Sequence, residues 1–356
     1  MKVIHLLTSL DYGGVERRME ILSLYPPSQY EVRFCAIGRG GATLDAIKKN
    51  NGFAVNLDLD YRIIRVRTLF ALFRYFKDNE PDVVHAHGAE ANFYGVLVGR
   101  LAGVPKIFTE EIGIPNLSKK AKLVFALVHR WADAVVAMSP VVRKYLIDNN
   151  LSDASKTHLV YNPVLISRRQ KKDFLSKKSV VRFVFVGRLE AVKNPTGLLF
   201  AFHEYLKSGR QGVLTYIGGG SQKEYLKKEA RRLGLEDHVS IVGFKKDVLN
   251  VLTSFDVVVQ PSITEGFSVA LAEAMSCGLP AVSTPVGSAP DLIVDGKNGW
   301  LVASSEVSDI CVGLCHAWEQ RSRLKIMGDA ATKSVLNRHS PELYSDKLFH
   351  FYEKYI

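Results

Sequence analysis

Two carboxylates, Glu265 and Glu273, sit in a stretch whose other members suit an anion. It runs from Pro261 to Asp291, PSITEGFSVALAEAMSCGLPAVSTPVGSAPD. An apolar strand, Val257 to Val259, stops at Pro261, because proline has no N–H to give a sheet ladder. The loop after it carries Glu265 and the flexible Gly266. Ser268 then opens the helical run VALAEAM as its N-cap, and Gly278-Leu279-Pro280 closes it. A helix N-terminus with open backbone N–H groups favours an anion, phosphate above all. Glu273 lies roughly 7 Å further along the helix axis. Carboxylates are poor phosphate ligands and good partners for sugar hydroxyls. The stretch therefore reads as a nucleotide-sugar site, with phosphates on the helix end and one glutamate for each sugar.

The elements that must position these groups form a repeating pattern of short apolar strand, loop and helix. In the second half, strand 181–186 feeds the loop Gly187-Arg188-Leu189-Glu190-Ala191-Val192-Lys193-Asn194-Pro195. It offers two cations at a strand's carboxyl end, Arg188 to grip two oxygens and Lys193 as a point charge. Strand 213–217 ends in Gly218-Gly219-Gly220, a turn that allows close backbone approach. The loop Gly243-Phe244-Lys245 is placed to receive a base. In the first half, strand 3–7 leads through Gly13-Gly14 into a helix, the opening of a Rossmann-like unit. Without GxGxxG this turn is a weak signal, either a tight turn or a close approach to donor phosphate or acceptor. Strand 83–86 delivers His87 and Gly88 to the sheet edge where ligands bind in open α/β sheets. His85 is assigned to the opposite face, as packing. Glu110 and Glu111 are expected in a loop on the same edge, facing acceptor hydroxyls or solvent.

Length and charge bound the rest. The 356 residues suggest two domains. Residues 1–178 hold 27 Lys+Arg and 17 Asp+Glu, against 20 and 19 in residues 179–356. The first half is thus the basic one and expects a polyanionic partner. The helix expected over 62–77 mixes arginines with aromatics and reads as a core helix with solvated arginines or a membrane-contacting face. The lysines at 119, 120 and 122, ahead of the apolar run LVFALVHRW, read as the best single candidate for an anionic surface. Four scattered cysteines imply reduced thiols and a cytosolic site. No apolar stretch approaches the length of about 18 residues that spans a bilayer. Asp58 and Asp60 form a DxD, a spacing that also arises by chance; it is read as bland, not as a metal site.

GRLEAVKNP, the VGF loop, the long DVVVQPSITEGFSVALAEAMSCGLPAVSTPVGSAPDLIVDGKNGWLV and DVVHAHG together resemble the retaining glycosyltransferases of family 4. The resemblance covers almost the whole chain. It implies the GT-B fold, two Rossmann-like parallel-sheet domains facing across a cleft. These are an acceptor-binding domain over 1–168, a linker over 169–179 and a donor-binding domain over 180–339, with a helix in 340–356 returning to the first. Glu265 and Glu273 match the family's E-x7-E element. By the resemblance, Glu265 holds hydroxyls of the donor sugar, and Glu273 holds the ribose. Gly266, Phe267, Ser268 and Val269 meet the diphosphate or sugar, while Arg188 and Lys193 stabilise the leaving diphosphate. His87 matches the histidine near the transferred sugar. Gly14, Gly187, Gly218, Gly219, Phe244 and Lys245 complete the donor site, and Gly13, Glu110 and Glu111 the acceptor side. Many members carry a histidine where this chain has Glu110-Glu111, a departure that bears on the acceptor.

The implied reaction moves a hexosyl or N-acetylhexosaminyl unit from a nucleoside diphosphate sugar, UDP-linked by expectation, with no cofactor or metal. The acceptor is a hydroxyl of a lipid-linked glycan or other membrane-associated molecule in bacterial polysaccharide or glycoconjugate synthesis. The expected site of action is the cytoplasm or the inner face of the plasma membrane, as monomer or homodimer. A sugar-nucleotide epimerase of the same fold would need no acceptor. A non-catalytic binding protein would not need Arg188, Lys193, Glu265 and Glu273 together. No nucleic-acid motif is present, so nucleic acid is not an expected partner.

Overall fold

The computed structural model describes residues 1–27, 29–114, 118–165, 180–245 and 247–356. The expected linker over 169–179 lies outside them. Contacts divide the chain into two compact units, Met1–Val164 with Pro341–Ile356, and Leu165–Ser340. Among the described residues no helix is long and apolar enough to cross a membrane.

The first unit is built on strands β1 (Lys2–Leu7), β2 (Glu31–Ala36), β3 (Phe53–Asn56), β4 (Val83–His87), β5 (Lys106–Glu111), β6 (Ala134–Ala137) and β7 (Thr157–Leu159). They pair in parallel in the order β3-β2-β1-β4-β5-β6-β7. A parallel sheet needs both faces covered, so the inner parts of its strands are mostly apolar. One face packs Val3, Leu7, Phe34 and Phe108 against Met19 and Leu22 of the first helix, and against Tyr344, Leu348 and Tyr352 of the helix Pro341–Glu353. The other packs Ile4, Leu6, Val84 and Ala86 against Leu72, Phe76 and Tyr94.

The second unit holds β8 (Val180–Val186), β9 (Gln211–Ile217), β10 (Val239–Gly243), β11 (Val257–Gln260), β12 (Ala281–Ser283) and β13 (Gly299–Leu301), parallel in the order β10-β9-β8-β11-β12-β13. Phe183, Phe185, Leu214, Tyr216 and Val259 form its core with Phe202, Tyr205, Leu314 and Met327. Strand order reverses between β1 and β4 in the first unit and between β8 and β11 in the second. Open α/β sheets bind ligands at the carboxyl ends of such switch points.

Three expectations are corrected. Glu110 and Glu111 are the last residues of β5, both buried, because the strand runs on past its apolar run. His85 shares a face with His87, since strand side chains alternate with period two; their rings lie 4.3 Å apart. The helix expected from residue 62 begins at Val66, because Ile64 takes a left-handed φ of 64°.

Candidate active site

In the second unit, the glycine turns lie side by side at the sheet's carboxyl edge. Gly187 N–H donates to the Ile217 carbonyl at 3.0 Å, Leu189 N–H to Gly219 at 2.8 Å and Gly218 N–H to Gly243 at 2.9 Å. The approach is so close that a Cβ on Gly218 would stand 1.9 Å from the Gly187 oxygen. Gly218→Ala is therefore expected to spread the two turns and weaken ligand binding at this edge about tenfold or more, read by titration calorimetry; unchanged affinity would show that the turns do not shape the site. Glu190 braces the same platform, accepting from Ser221 N–H at 2.9 Å and from its hydroxyl at 2.5 Å. Those bonds, with the charge of Arg188 adding, hold the Glu190 carboxyl below the usual range. Arg188 is exposed at the rim, as are Phe244 and Lys245.

Lys193 ends a short 3-10 turn, Ala191–Lys193. Asn194 follows in the left-handed region and caps the helix Pro195–Lys207, accepting from Gly197 N–H at 3.1 Å. Ile263 N–H donates to the Val192 carbonyl at 2.9 Å, tying this turn to the loop after β11. Lys193 and Glu265 consequently meet as an ion pair. Glu265, 9% exposed, also accepts from Ser262 Oγ at 2.9 Å and Gln260 Nε2 at 3.3 Å. Gly287 lies against it; a Cβ there would fall 2.6 Å from Glu265 Cβ.

Ser268 is the N-cap of the helix Val269–Ser276, accepting from Leu271 N–H at 3.4 Å. Its own N–H donates to Ser288 Oγ at 3.4 Å. Phe267 packs on His339, ring centroids 5.1 Å apart. Glu273 follows on the same helix, buried. The structure thus gathers Gly187, Lys193, Gly218, Gly219, Glu265, Gly266 and Ser268 at one sheet edge. Gln260, Ser262 and Glu190 join them without having been singled out from the sequence. Gln260 and Ser262 flank the strand-stopping Pro261, a position that could have marked them.

In the first unit, Gly13 caps the helix Gly14–Leu24 without a side chain; a Cβ there would strike Glu16, 2.1 Å away. Below the sheet edge lies a buried polar network. Strand register sets His5 beside His85 and His87 beside Glu110. Arg18, 2% exposed, pairs with Glu110 and donates to Asn162 Oδ1 at 2.8 Å. It also reaches His87 Nδ1 at 3.1 Å. A guanidinium can only donate, so His87 Nδ1 accepts and its proton sits on Nε2, which donates to His5 Nδ1 at 2.9 Å. Tyr352 bonds His85 Nδ1 at 2.6 Å. On the other face, Glu111 accepts from Asn92 Nδ2 at 3.0 Å and lies 3.4 Å from His129 Nε2.

These placements revise the first-unit candidates. Glu110 and Glu111 are held by internal partners and are buried rather than facing solvent. His87 has both ring nitrogens engaged and its side chain enclosed. The nitrogens of His5, His85 and His87 lie within 4.8 Å of one another, near enough to share an ion. Arg18 reaches His87 Nδ1 and brings positive charge to that point. The second carboxylate of the DxD, Asp60, is gripped by Arg62 and Arg65.

Burial pushes His5, His85 and His87 well below the usual histidine range, with His87 adding to the effect at His5 and His85, and Arg18 at all three. The folded-state values lie below the unfolded value of about 6.5, so acid protonates the unfolded chain first. This contribution to stability is complete above about pH 6.5 and is lost as pH falls below it, at roughly 1.4 kcal/mol per pH unit for each ring that stays neutral. Urea unfolding across this range should show the decline, with a shallower slope in His5→Gln. An unchanged slope would mean that the ring is not held neutral.

Two doubly wound sheets in one chain, each with a ligand-type switch point, make this a GT-B fold. Solved structures agree: that of Anabaena Alr3699/HepE in complex with UDP superposes with TM-score 0.84 at 19% identity, covering 99% of this chain and 100% of that one. Residues 12–168 match the model of Glycosyltransferase Family 4, and residues 167–334 that of Glycosyl transferases group 1. The chain belongs to the family 4 glycosyltransferases. It is 24% identical to the UDP-Gal:alpha-D-GlcNAc-diphosphoundecaprenol alpha-1,3-galactosyltransferase of Escherichia coli, over 99% of this chain and 96% of that protein. It is 28% identical to the lipopolysaccharide 1,6-galactosyltransferase of Salmonella typhimurium, over 75% of this chain and 74% of that one.

Proposed function

We propose that this glycosyltransferase moves a hexosyl unit, with retention, from a UDP-sugar to a hydroxyl of a lipid-linked glycan in glycoconjugate synthesis. The observation that carries the donor half is the edge of the second unit, where glycine turns, Lys193, Glu265 and the Ser268-capped helix converge. The diphosphate lies over Gly187 and Gly218 against the helix N-terminus. Arg188 and Lys193 take up the charge that grows on it as the glycosidic bond breaks, each preorganised group being worth about 3–4 kcal/mol. Glu265 accepts from sugar hydroxyls, Glu273 from the ribose, and Phe244 with Lys245 borders the base. No second carboxylate stands as a nucleophile in this reading. The acceptor attacks from the leaving-group side and gives its proton to the departing phosphate, with no metal ion. His87 enters only as a buried group that fixes the end of β4.

The acceptor half draws on the basic first unit and on the full-length relative, whose substrate is a diphosphoundecaprenol-linked sugar. Such an acceptor places the enzyme at the inner face of the plasma membrane. A panel of UDP-, GDP- and ADP-sugars, read by protection against thermal unfolding and then by transfer to a lipid-linked glycan, tests both halves. Protection by UDP-sugars alone supports the donor. Protection by none of them would overturn it.

A further inference from the structure

We propose that the turn Arg62–Arg65 and the outer face of the helix Val66–Asn79 form a docking knuckle that inserts into an anionic phospholipid surface. The inference rests on the lipid-linked acceptor proposed above and assigns the contact to particular residues. The helix buries Thr68, Leu72 and Phe76, a stripe at four-residue spacing. Val66, Phe70 and Arg74 lie on the opposite side. Phe70 is 72% exposed and Val66 63%, and the turn adds Ile64 at 70% and Ile63 at 41%. Four large apolar side chains thus stand in solvent together. Arg62, Arg65, Arg67 and Arg74 surround them, all exposed. Residues 60–78 carry five cations against two carboxylates. Both carboxylates are already gripped by arginines, Asp60 by Arg62 and Arg65, and Asp78 by Arg74 at 3.5 Å. An apolar centre with a cationic collar matches the boundary between headgroups and acyl chains.

The knuckle is built firmly. Tyr94, fully buried, donates to the Arg62 carbonyl at 2.6 Å and accepts from Arg65 N–H at 3.0 Å, clamping the turn from below. Thr68 Oγ1 donates to the Asp60 carbonyl at 2.7 Å. Ile64 is held at φ 64°, a conformation β-branched side chains rarely adopt. Asparagine would take that backbone more easily. The isoleucine side chain is 70% exposed, so little packing among the described residues offsets the cost. The segment leaves β3 at the sheet's carboxyl edge, with Leu57 N–H bonded to Ala36 and Leu59 N–H to Ile37. Docking here brings the ligand edge of the unit to the lipid surface. The helix Lys119–Trp131 also exposes Leu123 and Leu127, without a left-handed turn held beside them among the described residues. It supplies the comparison.

Flotation with vesicles of phosphatidylcholine and phosphatidylglycerol in physiological salt tests the assignment. Ile64→Asp and Phe70→Asp are each expected to weaken binding about tenfold or more, and Arg67→Gln about fivefold. Turnover on a water-soluble glycan acceptor should not change. Ile64→Asn, which suits the backbone, should unfold no earlier than wild type and still bind more weakly, separating loss of docking from loss of fold. Leu123→Asp and Leu127→Asp should bind as wild type. Wild-type binding that survives the knuckle changes, or is lost only with Leu123 or Leu127, overturns the assignment and leaves the lipid-linked acceptor standing. A wild type that ignores vesicles yet is fully active on soluble glycan overturns both. A Phe70→Asp change that splits a dimer in sedimentation would make the face an interface between copies, which also overturns it.

Discussion

Glu265→Gln is expected to lower kcat roughly 100-fold or more while thermal unfolding stays near that of wild type. The substitution keeps the shape that packs against Gly287 and the bond from Ser262, and removes one charge. That charge holds Lys193 in place and, in the proposed reaction, accepts from sugar hydroxyls. The pair is mostly buried, but the glutamine Oε1 can still accept from Lys193, so the fold should lose only about 1–2 kcal/mol. Donor affinity by calorimetry and kcat by a coupled assay separate the roles. A fall in kcat larger than the fall in affinity places Glu265 on the transition state. If kcat stays within a few-fold of wild type, Glu265 is not part of the chemistry.

The largest stability effect is expected from Arg18→Met, about 3–5 kcal/mol, because it strands the Glu110 carboxylate with almost no solvent. It also takes the donor from Asn162 and from His87 Nδ1. Removing both charges together, Arg18→Met with Glu110→Gln, should cost less than the two single changes summed, with a coupling of at least about 1 kcal/mol. Urea denaturation of the four proteins measures the cycle. Strict additivity would mean that the pair does not act as a unit.

What could be read from the residues follows from the range of the interactions. The parallel sheets were legible because many of the buried strands are short apolar runs, and several of them, β8, β9 and β11 among them, end in a glycine or proline turn. The Ser268 cap and the Lys193 turn are local and announce themselves within a few residues. The network around Arg18 is not local: its partners arrive from β1, β4, β5, the residues after β7 and the C-terminal helix. A hint was present. Arg18 stands three and four residues before Ile21 and Leu22, both buried, so it shares their inward face. Glu110 and Glu111 were misplaced because charge usually marks the end of a strand. Here Arg18 compensates one carboxylate, while Asn92 and His129 surround the other. The turn at Ile64 was hidden because an isoleucine gives no sign of a left-handed backbone.

The helix Pro341–Glu353 sets an order of assembly. Tyr344, Leu348, Phe349, Phe351 and Tyr352 belong to the core of the first unit, and Tyr352 completes the bond to His85. During synthesis, residues 1–164 therefore emerge with one sheet face only partly covered. They must keep it from aggregating while the whole of the second unit is made, and the second unit can close on its own residues meanwhile. The contacts that finish the first unit span up to 323 residues, as from Tyr30 to Glu353. Long-range closures of this kind form slowly. The part of the enzyme made first is thus the part finished last.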